Sequence, residues 1–310
     1  MRQFWNRKVL LAAVESTYGV KPTLGAAQGI MAIDMSIDPM VGQNLDRNVD
    51  FLWLTSQETI PAEVHAKLKF KVELAASGTL GTAPFWGPLL RGCGFAQTIA
   101  AGASVTYNPI SSGFESVSFD FWIDGIRYQL TGARGNAVFR VEMGIPYIEF
   151  EFWGLFNRPD ATAVVTPTLT GARRPLAAQS VNTPTFTLNS VALGLRSFVL
   201  NAGVAVIPRF TMGVAPEILI TGRDGEVLDM QVEARSLATF DPYGLAEAGT
   251  LIPVALTHGT TAGQRIKFAA PAAQLMLIGS PSNSDGIVVN PYQARLRPTN
   301  GNDQFTVVLD

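Results

Sequence analysis

A strict two-residue alternation recurs along this chain and constrains its fold more than any other feature. Lys67–Leu74 reads KLKFKVEL, with Leu68, Phe70, Val72 and Leu74 on one face and Lys67, Lys69, Lys71 and Glu73 on the other. That period belongs to a β-strand with one apolar and one polar face. Val117–Ile123 repeats it, setting Val117, Phe119, Phe121 and Ile123 against Ser118, Asp120 and Trp122. Asp124-Gly125 follows, a strong signal for a tight hairpin. Ile126, Tyr128 and Leu130 then alternate with Arg127, Gln129 and Thr131, and Ile148, Phe150 and Phe152 with Glu149, Glu151 and Trp153. Such strands must bury one face, so the expected class is mainly β, a sandwich or small barrel. One short helix is expected within Thr82–Gly94, with Thr82 as cap, Pro84 or Pro88 in the first turn and Gly92 or Gly94 as stop.

The second half of the chain replays the first. Phe70-Lys-Val-Glu73 is matched by Met230-Gln-Val-Glu233, and the helix start Pro84-Phe-Trp-Gly87 by Asp241-Pro-Tyr-Gly244. There Asp241 is a good cap and Pro242 suits the first helical position. Gly125-Ile-Arg-Tyr128 is matched by Gly263-Gln-Arg-Ile266; Ile33–Asp38 and Arg47 loosely resemble Leu195–Asn201 and Arg209. A Thr-, Ala-, Pro- and Gly-rich stretch opening at Pro159-Asp160 reads as a linker. The expected organisation is two tandem modules, residues 1–160 and 186–310, joined by a linker at 161–185. The alternative is one large β-sandwich with insertions.

Composition narrows the function class. Only 15% of the 310 residues are charged, against about 25% in an ordinary soluble domain, while 47% are apolar. No stretch approaches the ~20 continuous apolar residues of a spanning helix. Val9–Val14 is the best run, and Glu15 ends it. Arg2, Arg7 and Lys8 before it imitate a secretion signal, but the run is too short and no small-x-small cleavage site follows. A transmembrane β-barrel ranks lower, and no membrane partner is expected. Residues 1–160 carry 13 basic and 15 acidic side chains, and residues 161–310 carry 10 of each. Neither half is a polycation suited to gripping DNA phosphates. The single cysteine, Cys93, excludes an internal disulfide and a cysteine-based zinc site. The missing surface charge points to extensive protein–protein contact.

No cluster of catalytic character emerges. His65 and His258 lack an orienting carboxylate and ligand partners at useful spacing, and are read as surface or loop histidines. Glu149 and Glu151 share a strand face, as a glycosidase carboxylate pair does, but a solvated strand face explains them better. Gly132-Ala-Arg-Gly135, Asp224-Gly225 and Asp285-Gly286 read as turns. Cys93 reads as a small buried residue, and Trp86, Trp122 and Trp153 as core or interface anchors. The expectation is a structural subunit with no catalytic residue, cofactor or metal, not an enzyme.

Several stretches resemble the major tail tube protein of long-tailed (siphovirus-type) bacteriophages, in the two-module version found in phages of Gram-negative hosts. They are Leu11-Ala-Ala-Val-Glu-Ser-Thr-Tyr-Gly19 with Pro22, Leu74-Ala-Ala-Ser-Gly-Thr-Leu-Gly-Thr-Ala-Pro-Phe-Trp-Gly-Pro-Leu-Leu-Arg91 running to Cys93-Gly-Phe95, Val105-Thr-Tyr-Asn-Pro109 with Gly113-Phe-Glu-Ser-Val117, and Leu130-Thr-Gly-Ala-Arg-Gly135. Gly144-Ile-Pro-Tyr147 with Gly154-Leu155, Ala238-Thr-Phe-Asp-Pro242, Leu256-Thr-His-Gly-Thr-Thr-Ala-Gly263 and Asn302-Asp303 complete the set. The resemblance implies two tail-tube-type β-sandwich or barrel modules, each flanked by one short helix. It implies trimeric rings of pseudo-sixfold symmetry that stack into a hollow tube around a tape-measure protein and later pass DNA. It also implies contacts with other tail proteins, and a place in the virion tail after assembly in the host cytoplasm.

In such a ring the polar strand faces would line the lumen and sheet edges would pair between modules. The lumen-facing candidates are Glu73, Glu149, Glu151 and Glu233, although Lys67, Lys69 and Lys71 share a face with Glu73. Gln43–Pro61 and the N-terminal residues are candidates to reach a neighbouring ring. The alternatives are a tail terminator or secretion-tube ring and, more distantly, a carbohydrate-binding β-sandwich adhesin.

Overall fold

The computed structural model describes residues 2–310, and 52% of the chain is strand against 5% helix, so the fold is mainly β. In the first half the strands are β1 (Lys8–Val14), β2 (Gly29–Ile30), β3 (Ala32–Asp46), β4 (Thr59–Glu73), β5 (Phe95–Ala100), β6 (Ser104–Pro109), β7 (Val117–Ile123), β8 (Ile126–Glu142), β9 (Tyr147–Phe156) and β10 (Asp160–Ala161). In the second half they are β11 (Thr185–Leu188), β12 (Val191–Ala192), β13 (Leu195–Asn201), β14 (Val204–Thr211), β15 (Val214–Arg223), β16 (Val227–Glu233), β17 (Leu251–His258), β18 (Ile266–Leu275), β19 (Ser282–Ser284), β20 (Ile287–Leu296) and β21 (Thr306–Leu309). The two α-helices are α1 (Gly87–Gly92) and α2 (Pro242–Glu247), one in each half.

The two halves pair their strands in the same antiparallel order. In the first, β3 pairs with β4, then β9, β8, β7, β1 and β2 follow across the sheet. In the second, β13 pairs with β16, then β20, β18, β17, β11 and β12. The short β10 lies against the start of β8 as β21 lies against the start of β18. The helix falls at the same point in each, after β4 and after β16. The halves differ where the β5–β6 hairpin of the first clasps β21 of the second.

Beside this β6–β21 pairing, a second backbone ladder joins the halves. The far end of β8 pairs with β13, setting Glu142 opposite Ser197, Arg140 opposite Val199 and Val138 opposite Asn201. Phe139 of β8 and Phe198 of β13 both meet Phe268, each at 5.3 Å between ring centroids. The core is therefore one contiguous cluster, running from Leu10, Phe70 and Phe119 to Phe198, Met230 and Leu256.

Local rules account for most elements. Leu68, Phe70 and Val72 are buried while Lys69 is exposed, as the alternation requires. Asp124 and Gly125 both have positive φ (42° and 91°), the signature of a type I′ hairpin turn. Asp241 caps α2 by accepting from the Tyr243 and Gly244 amides, each at 3.1 Å. Helix α1 is shorter than the expected Thr82–Gly94, because Pro88 delays its start to Gly87 and Gly94 takes a positive φ at its end.

Two expectations about the strands need correction. Gly132–Gly135 is not a turn; it lies inside β8, where the pairing with β9 shifts between Thr131 and Arg134. Gly132 has φ +58°, and a Cβ there would sit 2.8 Å from the Tyr18 ring, so a glycine bulge continues the strand where the local sequence suggests a reversal. The Ser118, Asp120 and Trp122 face of β7 is buried, not solvated. Asp120 pairs with Lys21 at 2.6 Å, and the Trp122 Nε1 donates to the Thr162 carbonyl. The linker is thus laid along the body. Its Thr168 amide bonds the Ala26 carbonyl, and its Ala178 amide bonds the Gly144 carbonyl.

Candidate assembly surfaces

Three surfaces stand out, and each follows from strand geometry. The first is a pair of hairpin arms. The distal parts of β3 and β4 continue beyond the body as a long ribbon, and the separate two-stranded sheet β14–β15 is inserted at the same place in the second half. Each ribbon is braced by an Arg–Glu pair across it, Arg47 with Glu58 in the first arm and Arg209 with Glu217 in the second.

The arms have different surroundings. The second arm crosses β8, β9 and β4 of the first half. The Arg134 guanidinium donates to the Ile218 carbonyl at 2.8 Å, the Ile218 amide donates to Tyr18 Oη, and Phe210 lies 6.3 Å from His65. The partly buried Arg223 guanidinium donates to the Gly94 carbonyl. Ile218 and Ile220 are consequently buried. The outer part of the first arm is uncovered among the described residues: Met40, Leu45 and Ile60 are all at least half exposed. Its tip presents Phe51, Leu52, Trp53 and Leu54 in a row, with Leu52 at 87% and Leu54 at 108% exposure. A run of four large apolar side chains open to water is an uncovered apolar patch, rare on the surface of a monomer. The sequence signal is that uninterrupted FLWL between Asp50 and Thr55, which alternation analysis passes over.

The second surface is the polar face of the sheet, which continues through the β8–β13 joint from one half to the other. It is a lattice of ion pairs. Lys71 contacts Asp34 (3.1 Å) and Glu149 (3.7 Å), Arg140 contacts Glu149 (2.8 Å) and Glu142 (3.7 Å), and Lys69 contacts Glu151 (3.3 Å). The Asp34 hydrogen bond holds the Lys71 ammonium above its usual range. Of the four candidate glutamates, Glu149 and Glu151 sit together on β9, directly opposite Lys71 and Lys69. Glu233 ends β16 and pairs with Arg196 at 3.1 Å. Glu73 ends β4 opposite Tyr147, with no ion pair among the described residues. Arg140 was hidden from sequence reading because the apparent turn at Gly132 obscured the rest of β8.

The third surface is made of open sheet edges. Among the described residues β3 is paired only with β4, and β19 only with β20. Exposed apolar side chains flank both edges, Ile33 beside one and Leu277 at 95% exposure beside the other.

The histidine, cysteine and tryptophan candidates, Trp153 apart, are buried. Both histidines are buried, contrary to the expected surface or loop positions. His65 lies within β4, stacked on Trp153 at 5.4 Å. His258 ends β17 with Nδ1 2.9 Å from the Thr183 hydroxyl, and burial pushes its pKa down. The Cys93 thiol is fully buried at the end of α1, and that burial pushes its pKa up. Trp86 and Trp122 are core residues, while Trp153 lies under the Lys67 ammonium at 3.8 Å. Among the described residues no three His, Cys, Asp or Glu side chains gather as a metal site would need, and no helix is long and apolar enough to cross a membrane. No model of a known protein family matches the chain, and it matches no curated protein.

Proposed function

We propose that this chain is a non-enzymic structural subunit of a tube of the bacteriophage-tail type. Its two halves are tandem tail-tube-type β modules, and each occupies one of two adjacent, quasi-equivalent places in a ring. The observation that carries the reading is the repeated strand order, with an arm at the same point of each repeat and only one of the two arms covered. A chain that repeats one unit and leaves the second partner of that unit missing is built to meet copies of itself. Three chains would give a ring of six modules, and rings would stack through the exposed Phe51–Leu54 tip.

The polar face is the natural lumen lining. In the first half, Lys69, Lys71 and Arg140 are matched by Asp34, Glu142, Glu149 and Glu151 and Lys67 stacks on Trp153, so that half offers DNA no continuous unopposed basic track. Glu73, Glu149, Glu151 and Glu233 keep that face from becoming cationic. A tape-measure protein would fill the tube before DNA does, other tail proteins would bind its ends, and the subunit would reside in the virion tail after assembly in the host cytoplasm. The N-terminal role is confined to residues before β1, since Leu10 is a core residue and a deletion of residues 1–10 would remove three of that strand's 7 residues.

Sedimentation velocity over a rising concentration series tests the proposal. Discrete ring-sized species giving way to long polymers are expected. A single 33.3 kDa species at the highest concentrations would overturn it.

A further inference from the structure

The chain contains one complete joint between its two halves and the two unused sides of a second. The complete joint has a strand part and an arm part: β8 pairs with β13, and the β14–β15 arm crosses the first half over Trp153, His65 and Arg134. The repeat identifies the unused counterparts. Glu73 pairs with Tyr147, which pairs with Arg140; Glu233 pairs with Val289, which pairs with Ser282. Ser282 on β19 therefore stands where Arg140 stands on β8. Likewise Val199 pairs with Asp229, four residues before Glu233, and Ser36 pairs with Lys69, four before Glu73. Ser36 on β3 therefore stands where Val199 stands on β13. Arg140 and Val199 face each other in the internal joint. Ser36 and Ser282 have no such partner among the described residues.

The arm part extends the same comparison. Ile60 and Ile220 each lie thirteen residues before the paired glutamates, yet Ile220 is 7% exposed and Ile60 53%. The surface the first arm would cross is the counterpart of Trp153. Trp153 pairs with Lys67, six residues before Glu73, and Arg295 pairs with Val227, six before Glu233. Arg295 and, two residues on, Arg297 are exposed and make no ion pair among the described residues. The first arm is acidic, with Asp46, Asp50, Glu58 and Glu63 against Arg47. Asp46 and Asp50 are likewise exposed and unpaired.

We infer that the partner of this surface is a second copy of the chain, joined head to tail. The β3 edge of one copy pairs with the β19 edge of the next around Ser36 and Ser282, and its acidic first arm lies across Arg295 and Arg297. This inference rests on the ring reading and assigns its contacts. The joint is heterologous, so repetition closes a ring or runs on as a helix, and neither copy keeps an open edge. Neither edge is long and regular: β19 has three residues with Pro281 before it, and β3 is interrupted by register shifts. Those features discourage indiscriminate pairing and leave the arm to supply much of the hold.

Charge exchange tests it. Arg295→Glu with Arg297→Glu should shift the full chain from ring-sized species to monomers at concentrations where the wild type assembles, with an unchanged circular dichroism melt. Asp46→Lys with Asp50→Lys should do the same, and the fourfold variant carrying both exchanges should recover rings. Separately, Ser36→Cys with Ser282→Cys should give covalent multimers on oxidation, while either cysteine alone should not. Wild-type rings that both charge variants leave intact, or a fourfold variant that stays monomeric while the wild type assembles, would overturn this joint and leave the tube reading standing. A wild type that never assembles would overturn both.

Discussion

Glu15 offers the sharpest test of how the first half is held together. Its carboxylate is 7% exposed and accepts four hydrogen bonds: from the Gly19 amide at 2.7 Å, the Gly132 amide at 2.7 Å, and the Ser116 and Ser118 hydroxyls at 2.6 and 2.5 Å. These donors tie the segment after β1, the strand β7 and the glycine bulge of β8 to one side chain. In Glu15→Ala the two hydroxyls can rotate toward other acceptors, but the two amides are fixed. A buried donor left unpaired costs about 1–3 kcal/mol. Two such amides and the lost charge-assisted bonds give an expected loss of ~3–5 kcal/mol, a large part of the ~5–15 kcal/mol that holds a domain folded. Glu15→Gln keeps one acceptor oxygen but turns an amide NH₂ toward donors, so about 2 kcal/mol is expected. Urea denaturation followed by far-ultraviolet circular dichroism reads both values. A Glu15→Ala variant within about 1 kcal/mol of the wild type, at unchanged m-value, would refute the reasoning, because the donors would then have other partners.

Three further outcomes are expected. Glu151→Lys should cost under ~1 kcal/mol, since it breaks one solvent-exposed pair, while Glu149→Lys should cost ~2 kcal/mol by setting a third cation between Arg140 and Lys71; in particles, both together should slow DNA ejection and spare assembly, and normal ejection kinetics would contradict the lumen assignment. Changing Phe51, Leu52, Trp53 and Leu54 together to Ser should leave melting unchanged and rings intact but shorten or abolish tubes in electron micrographs; unchanged tube length would contradict their inter-ring role. Burial depresses the pKa of His258, so the fold takes up its proton at lower pH than the unfolded chain, which does so below pH ~6.5. Stability should therefore fall as the pH drops from 7 to 5, and denaturation midpoints of His258→Gln should lack that part of the slope.

How much of this was legible in the sequence depends on how far away each partner lies. The alternation in β4 and β9 was readable because each strand buries one face and leaves the other polar. The same alternation in β7 misled, because the Ser118–Trp122 face is covered by Lys21 and Thr162, too remote for any local pattern to report. Gly132 was misread because a left-handed glycine serves a turn and a bulge equally, and only the ladder to β9 distinguishes them. The histidines were misplaced for a related reason: Trp153 and Thr183, which bury them, are brought up by pairing and by the linker. The candidate glutamates were placed on their strands correctly, but their partner Arg140 and the difference between the two arms depend on contacts between the halves. Those contacts became visible only with the β8–β13 ladder.

The central claim is that the two halves are successive places in a ring that stacks into a tube. Negative-stain electron microscopy of the purified full-length chain tests it most directly. End-on averages should show an open hole surrounded by six near-equivalent lobes with exact threefold symmetry, and side views should show stacked rings. Dispersed single particles at high concentration, or closed globular oligomers without a hole, would contradict it.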